Sequence, residues 1–380
     1  MRDPAPAAFR FPTKPRTVEE SKFPLAYSIL IYNDAEQFLR LISAIYWPQN
    51  VYCISLDAKA SIGMKRIVQK LANCYPRNIL LPDRSERVYW GHFSILQSVV
   101  NCHSKLLSSP IKWRYAQILT GHDFPLKSNW EMVQIFQILN GTNDCELLRA
   151  NKYRYARERT FDSVKGKWLK LGAEKEQPPC FPIYKNIIAT SLTREFVRYM
   201  VHSKEAQSFL RWLNNTHIPC EQYLATLLYN PQLGAPAAFP GEACLQKQEK
   251  QKGGRPHLPA ISRYHIWPGS ACHGKWVHGS CCFGIGDFAA MLSQPPLVAH
   301  KLYYDFQPAL FHCLAEVLEQ KTYGDYGGNS SHRLDLSYYR QLPMVVYHNL
   351  PEEKRINFDC TKHLPFKEAV KKKKTEMPLH

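Results

Sequence analysis

An imidazole and a carboxylate stand side by side in the segment LTGHDFPLKSN (119–129), where His122 and Asp123 follow an apolar run and Phe124-Pro125 breaks it. Asp57 closes an earlier apolar run, VYCISLD (51–57), in the same way. A carboxylate at the carboxyl end of a buried strand can accept hydrogen bonds from a ligand's hydroxyl and ring N–H groups. In open α/β sheets ligands bind outside those ends. A solvated turn is the competing reading of His122-Asp123, and a helix cap that of Asp57. Zinc-finger spacing and a GxxxxGK phosphate loop are both missing from the sequence.

These side chains need a sheet to stand on, and the apolar pattern supplies one. Strands are predicted at 26–32 (AYSILIY), 51–57, 79–82 and 115–120. Helices are predicted at 35–46, 63–73 and 93–107; in the first, Phe38, Leu41, Ile42 and Ile45 share a face, and Asn33-Asp34 can cap it. Strand alternating with helix gives an α/β fold, a mostly parallel sheet with helices on both faces. Beyond residue 140 the pattern loosens. Residues 146–184 are polar, basic and punctuated by proline. A strand follows at 187–192, then helices at 194–201 and 204–213. Residues 231–260 read as a long loop, 281–292 as ordered chain and 308–319 as a helix. The expected division is a linker over 1–22, one domain over 23–319 and a poorly ordered tail over 320–380, ending in Lys371–Lys374.

The 380 residues are 45% hydrophobic and 12% aromatic, as in a globular protein, and carry a net charge of +17. That excess suits polyanions, although part of it is the terminal lysine run, and no motif points to nucleic acid. Twelve cysteines are scattered outside CxxC pairs, which argues for disulfides and an oxidising compartment. Sequons at Asn140, Asn214 and Asn329 permit glycosylation. No apolar run approaches the ~20 residues of a membrane helix, and Met1–Pro24 has no signal-peptide core. A secreted-type cysteine load without an export signal leads to the expectation that the natural amino terminus lies upstream of this chain.

The segments FPLAYSILIYNDAEQFLRLISAIYWPQNVYCISLD (23–57), LTGHDFPLKSN, PCEQYLAT (219–226) and CCFGIGDFAAML (281–292) resemble the branching β-1,6-N-acetylglucosaminyltransferases, the core-2 and I-branching enzymes of glycosyltransferase family 14. The resemblance is collinear from about residue 23 to 318. It implies a variant GT-A fold on the lumenal side of the Golgi membrane, held by an upstream type II anchor. It further implies inverting transfer of GlcNAc from UDP-GlcNAc to the 6-hydroxyl of Gal or GalNAc on an O-glycan, with no metal or other cofactor. Most GT-A enzymes hold Mn²⁺ with Asp-x-Asp, and this sequence has no Asp-x-Asp.

Such a displacement needs a carboxylate to take the acceptor's proton and positive charge to stabilise the departing diphosphate. By the resemblance the base is Glu221, otherwise a surface glutamate at a helix start, and the phosphate-contacting lysine is Lys301, otherwise a solvated lysine. A second phosphate cation, an arginine in the family, falls three residues before the second cysteine of a C-x8-C loop. Here that position is His278, between Cys272 and Cys281. An imidazole is only partly charged near neutral pH and lacks a guanidinium's paired contact. The uridine positions match Leu30, Asp57 and Tyr89. The acceptor positions match Glu146, Arg154 (replacing a lysine) and Arg157, the two arginines also being readable as a solvated basic face. The family's acceptor-stacking Trp-x-Tyr has only RYHIW as its counterpart, with Tyr264 and Trp267. Where relatives carry a small Gly-Ser segment at the donor site, this chain has the bulkier Lys185-Asn186-Ile187. Asp123 becomes a loop-ordering or site-lining residue. The family pairing joins Cys53 with Cys102 and Cys272 with Cys281, and leaves Cys74 and Cys313 with partners upstream of Met1. Two other readings stay open: peptide O-xylosyltransferase, disfavoured by the short length, and a catalytically inactive relative that binds glycans or partners.

Overall fold

A computed structural model describes residues 11–363, apart from 163, 166, 173, 252–255 and 325–333. The Asn329 sequon and the Lys371–Lys374 run lie outside the described residues. The chain forms two compact units, the first made of residues 1–85, 101–134 and 261–334, the second of 86–100, 135–260 and 335–380. The single domain expected over 23–319 is therefore shared between two units.

In the first unit β1 (Leu25–Ile31), α1 (Ala35–Ile45), β2 (Val51–Leu56), α2 (Ile62–Cys74), β3 (Ile79–Leu80) and β4 (Tyr115–Thr120) follow the predicted order. The strands lie side by side as β4-β1-β2-β3, and β1 runs parallel to both β2 and β4. All six residues of β2 are buried, and only Leu30 of β1 and Thr120 of β4 are not. Such strands are covered on both faces, hence their unbroken apolar runs. The strand expected over 79–82 stops at Leu80, before Pro82, which cannot donate to a ladder. Helix α1 starts at Asp34, whose carboxylate accepts from the Gln37 N–H, and buries Phe38, Leu41, Ile42 and Ile45.

Five later elements of this unit bear on the site. They are β5 (Asp123–Pro125), the hairpin β6 (Lys275–Val277) and β7 (Ser280–Cys282), β8 (Val298–His300), and α3 (Pro308–Tyr323). Strand β8 lies antiparallel to β5 with His300 opposite Asp123. Phe124, Phe283, Leu302, Leu310, Phe311 and Leu314 form the core beneath them.

The second unit contains helices Arg194–His202, Lys204–Leu213 and Tyr223–Leu228 and two small antiparallel pairs, Leu148–Arg149 with Tyr184–Lys185 and Arg159–Asp162 with Lys167–Lys170. Three expectations are corrected here. The strand over 187–192 is confined to Ser191–Thr193, because buried Asn186 bonds to the Ile187 carbonyl and the Ala225 N–H instead of a ladder. Part of the long loop over 231–260 is a helix, Gly241–Glu249, whose buried residues are too few to show a period. The tail is folded as far as it is described. Short helices at Ser337–Arg340, Pro343–Asn349 and Glu352–Arg355 precede a disulfide from Cys360 to Cys244. Phe239 packs edge-on against Tyr347 and Phe358. Helices of four to seven residues leave no periodicity for a sequence to show.

Candidate active site

The carboxyl ends of β1, β2 and β4 gather several of the expected donor residues in the first unit. Leu30 pairs with Ser55 and Thr120, and its carbonyl accepts from the Gly121 N–H at 3.0 Å. The Asp57 N–H donates to the Ile31 carbonyl at 2.9 Å, so β1 and β2 end together. The Asp57 carboxylate accepts from the Lys59 N–H at 2.8 Å and lies 3.4 Å from the Lys59 ammonium. It caps no helix: Ser61 caps α2, accepting from Met64.

Asp123 has no exposed surface. Its Oδ2 accepts from Arg263 at 2.7 Å and from the Thr120 N–H at 2.6 Å; its Oδ1 faces His300 Nδ1 at 2.7 Å. Burial acts to raise this carboxyl's pKa, but Arg263 and His300 beside it prevail and hold it below the usual carboxylate range. Burial, aided by Arg263, pushes His300 down to about 4. The solvated-turn reading of His122-Asp123 is thereby corrected, since Asp123 is a buried tie between the loop after β4 and the chain entering Lys301.

Gln37 is a second tie, and one that apolar periodicity did not reveal. Fully buried, its Nε2 donates to the Gly121 carbonyl at 2.5 Å and the Leu302 carbonyl at 3.0 Å, while its Oε1 accepts from the Tyr304 N–H at 2.8 Å. The segment bearing Lys301 is thus clamped to the strand ends on both flanks, by Asp123 through His300 and by Gln37 through Leu302. Lys301 is half-buried, and its carbonyl accepts from the Phe283 N–H at 2.9 Å. Burial lowers its pKa, with the Cys282 thiol acting the other way. His278 is exposed at the tip of the β6–β7 hairpin. Its φ of 50° and the 72° of Gly279 make a two-residue turn of type I′, and the Cys272–Cys281 disulfide braces the arms. Tyr264 joins β8 through its backbone and stacks its ring on Phe283 at 5.5 Å, while Trp267 is half-exposed against His265. Asp287 lies near Cys272 and Cys281, but those two sulfurs are joined in a disulfide, so the group offers no thiolate to a metal.

The expected base, Glu221, and the acceptor residues Glu146, Arg154 and Arg157 fall in the second unit, whereas Tyr264 falls in the first. Glu221 ends a short 3₁₀ turn, Pro219–Glu221. Its Oε2 lies 2.9 Å from Arg154 Nη1 and 3.6 Å from Lys185 Nζ; its Oε1 takes no hydrogen bond from a described residue. Arg154 is buried in the 3₁₀ turn Lys152–Tyr155, whereas the Glu221 side chain is 27% exposed. Glu146 Oε2 accepts from the Ile187 N–H at 3.0 Å, and the Glu221 carbonyl accepts from the Asn186 N–H at 2.8 Å. The Lys185-Asn186-Ile187 segment therefore holds both carboxylate-bearing stretches. Arg157 is not brought to Glu221. Its guanidinium pairs with Glu174 at 2.6 Å and with the Lys175 carbonyl at 3.0 Å, in keeping with the solvated-face reading. Tyr89 is half-buried just before the helix Phe93–Leu107, its N–H donating to Ser94 Oγ.

A partly exposed carboxylate with one oxygen in an ion pair and the other free to accept is suited to take a proton from an approaching hydroxyl. Comparison with known proteins gives the family. Residues 25–292 match the family model of the Core-2/I-Branching enzyme. The chain is 32% identical to a human N-acetyllactosaminide beta-1,6-N-acetylglucosaminyl-transferase, over 80% of this chain and 74% of that protein. It is 30% identical to a human beta-1,3-galactosyl-O-glycosyl-glycoprotein beta-1,6-N-acetylglucosaminyltransferase, over 82% of this chain and 73% of that one. A mouse relative, beta-1,3-galactosyl-O-glycosyl-glycoprotein beta-1,6-N-acetylglucosaminyltransferase 4, is 32% identical over 80% of this chain and 67% of its own length.

The chain belongs to the Core-2/I-branching enzyme family. It is a glycosyltransferase.

This branching enzyme carries disulfides Cys53–Cys102 and Cys272–Cys281, the two pairs the resemblance implied, and a third, Cys244–Cys360. Cys74 and Cys313 are free thiols, Cys74 exposed and Cys313 partly so. No helix among the described residues is long and apolar enough to cross a membrane. Among the ties that hold its site, Gln37 left a faint trace in the sequence, as a polar residue on the stripe it shares with Leu41 and Ala44. Arg263 and the Lys185–Glu221 contact left none.

Proposed function

We propose that this protein transfers GlcNAc from UDP-GlcNAc to the 6-hydroxyl of a Gal or GalNAc on an O-glycan, with inversion at the anomeric carbon. The acceptor oxygen attacks that carbon, the bond to the UDP phosphate oxygen breaks, and Glu221 Oε1 takes the hydroxyl proton. Lys301 stabilises the charge on departing UDP, with His278 as a weaker second contact. The reading assigns that task to fixed side chains, since the sequence lacks Asp-x-Asp. Leu30, Asp57 and Tyr89 are assigned to the uridine, and Glu146, with Arg154 and Tyr264, to the acceptor. The observation carrying the proposal is the half-occupied carboxylate, with Arg154 on Glu221 Oε2 and Oε1 open. A lumenal Golgi location behind a type II anchor belongs to the same proposal, supported by three disulfides.

Transfer to a core-1 O-glycan acceptor in EDTA tests it. Glu221→Gln is expected to lower the rate by about 10²- to 10⁴-fold, and Lys301→Met by about 10²- to 10³-fold, with UDP binding by Glu221→Gln unchanged. Equal rates for wild type and Glu221→Gln would end the assignment.

A second reading, a glycan-binding relative without turnover, is favoured by Lys185. That side chain adds a second cation to Glu221 at 3.6 Å, where relatives carry small residues by the resemblance. Binding of UDP and acceptor without any transfer would select it.

A further inference from the structure

His217, in the second unit, is 7% exposed, and neither of its ring nitrogens has a hydrogen-bond partner among the described residues. Buried polar atoms in native structures are normally paired, so this ring presents an unmet donor and an unmet acceptor. Aromatic rings surround it, with centroids at 4.2 Å for Phe161, 5.0 Å for Trp168, 5.8 Å for Trp90 and 6.3 Å for Tyr153. The hairpin Arg159–Asp162/Lys167–Lys170 pairs Phe161 with Trp168 across its strands. Tyr153 comes from the 3₁₀ turn that also carries Arg154. Gly91, at φ +74°, closes one side; a Cβ there would stand 3.2 Å from His217 Nε2. Two of the rings reach the surface, Trp90 at 68% and Tyr153 at 39% exposed.

The cage adjoins Glu221 through one residue. The Arg154 carbonyl accepts from the His217 N–H at 2.7 Å, and the Arg154 guanidinium holds Glu221. Burial, with Arg154 adding to it, pushes the His217 imidazole down to about 4. The ring is therefore neutral near pH 7, with one N–H donor and one bare nitrogen acceptor. An anion finds no positive charge on such a ring. A hydroxyl can both donate to it and accept from it. Ring faces of this kind take the C–H face of a pyranose by weak C–H contacts and burial, and aromatic walls with few polar groups are the usual lining of a small-ligand site.

We propose that Trp90, Phe161, Trp168 and His217 form a subsite for a neutral sugar ring of the acceptor glycan, next to the ring whose hydroxyl Glu221 deprotonates. The placement rests on the transferase reading; the affinity for a neutral sugar rests on the cage alone.

Calorimetric titration of the intact chain, with UDP present, compares the disaccharide Galβ1-3GalNAc with the monosaccharide GalNAc. The disaccharide is expected to bind more tightly. Trp90→Ala, which removes an exposed ring, is expected to weaken disaccharide binding about tenfold and to affect the monosaccharide less, with unfolding temperature unchanged. His217→Phe, which fills the cage but has no nitrogen, is expected to weaken it too, and His217→Gln to restore part of the loss. Wild-type affinity for the disaccharide in both Trp90→Ala and His217→Phe overturns the subsite, as does equal binding of the two sugars by wild type. If those losses occur in a protein that transfers no sugar, the subsite stands and the transferase reading falls. If Glu221-dependent transfer proceeds with Trp90→Ala indistinguishable from wild type, only the subsite falls.

Discussion

Asp123 in the first unit and Glu221 in the second are each held by an arginine, and there the likeness stops. Both Asp123 oxygens are occupied, by Arg263, His300 and the Thr120 N–H, and nothing of the residue reaches solvent. Glu221 is partly exposed and receives both its cations on one oxygen. A saturated buried carboxylate fixes chain geometry, whereas a half-saturated exposed one can exchange a proton with a ligand. Charge and sequence context do not separate the two roles; the number of satisfied lone pairs does.

The sharpest way to break this comparison is to delete each carboxylate and measure stability. Asp123→Ala strands a buried guanidinium and should cost about 3–5 kcal/mol in urea unfolding. Glu221→Ala loses a partly solvated pair and should cost about 1 kcal/mol or less. Comparable losses would mean that Glu221 is a structural residue like Asp123.

A somewhat smaller effect per residue is expected from pH, where each unit holds one histidine pushed down to about 4 and a second, His122 or His348, that burial also lowers. His217 and His300 are both lowered from 6.5 to about 4 in the folded chain. Between those values the unfolded chain binds more protons than the folded one, so stability rises with pH across this window and is lost on acidification through it. The loss from pH 7 to 4 should be on the order of 3 kcal/mol for each histidine. Asp123, lowered rather than raised, loses its contribution only below its ordinary carboxylate range. His217→Gln should flatten the profile by its own share, about 3 kcal/mol across this window. An unaltered profile would show that the buried imidazole of the second unit does not titrate as described.

The smallest effect sharpens the chemistry of Glu221. Lys185→Ser removes one of its two cations and should raise the transfer rate by about two- to five-fold, the size of a partly exposed ion pair. A fall in rate would make Lys185 a substrate contact.

Legibility followed the range of the interactions. Strands β1, β2 and β4 and helices α1 and α2 were readable because each buries a continuous run or a 3.6-residue stripe, and that pattern lies within one short segment. The helix Gly241–Glu249 and the helices after Ser337 were not, since short helices held by a disulfide and a few rings leave no period. Motif resemblance singled out Glu221, Lys301, Glu146 and Arg154, and the fold pairs Arg154 with Glu221 and ties Glu146 to Ile187. The resemblance also singled out Arg157, which the fold turns toward Glu174.

By itself the sequence determined the alternation of strand and helix, the carboxylates at the strand ends and the family, because all three are written in local order. Tertiary structure alone decided that Asp123 would be sealed by residues 140 and 177 positions away, that Gln37 would clamp the Lys301 segment, and that the His217 ring would lie among four other rings with no hydrogen-bond partner among the described residues. Each of these depends on which distant donors and rings arrive at a given atom. Hydrogen bonds and desolvation act over a few ångströms of space, and no spacing along the chain encodes that encounter.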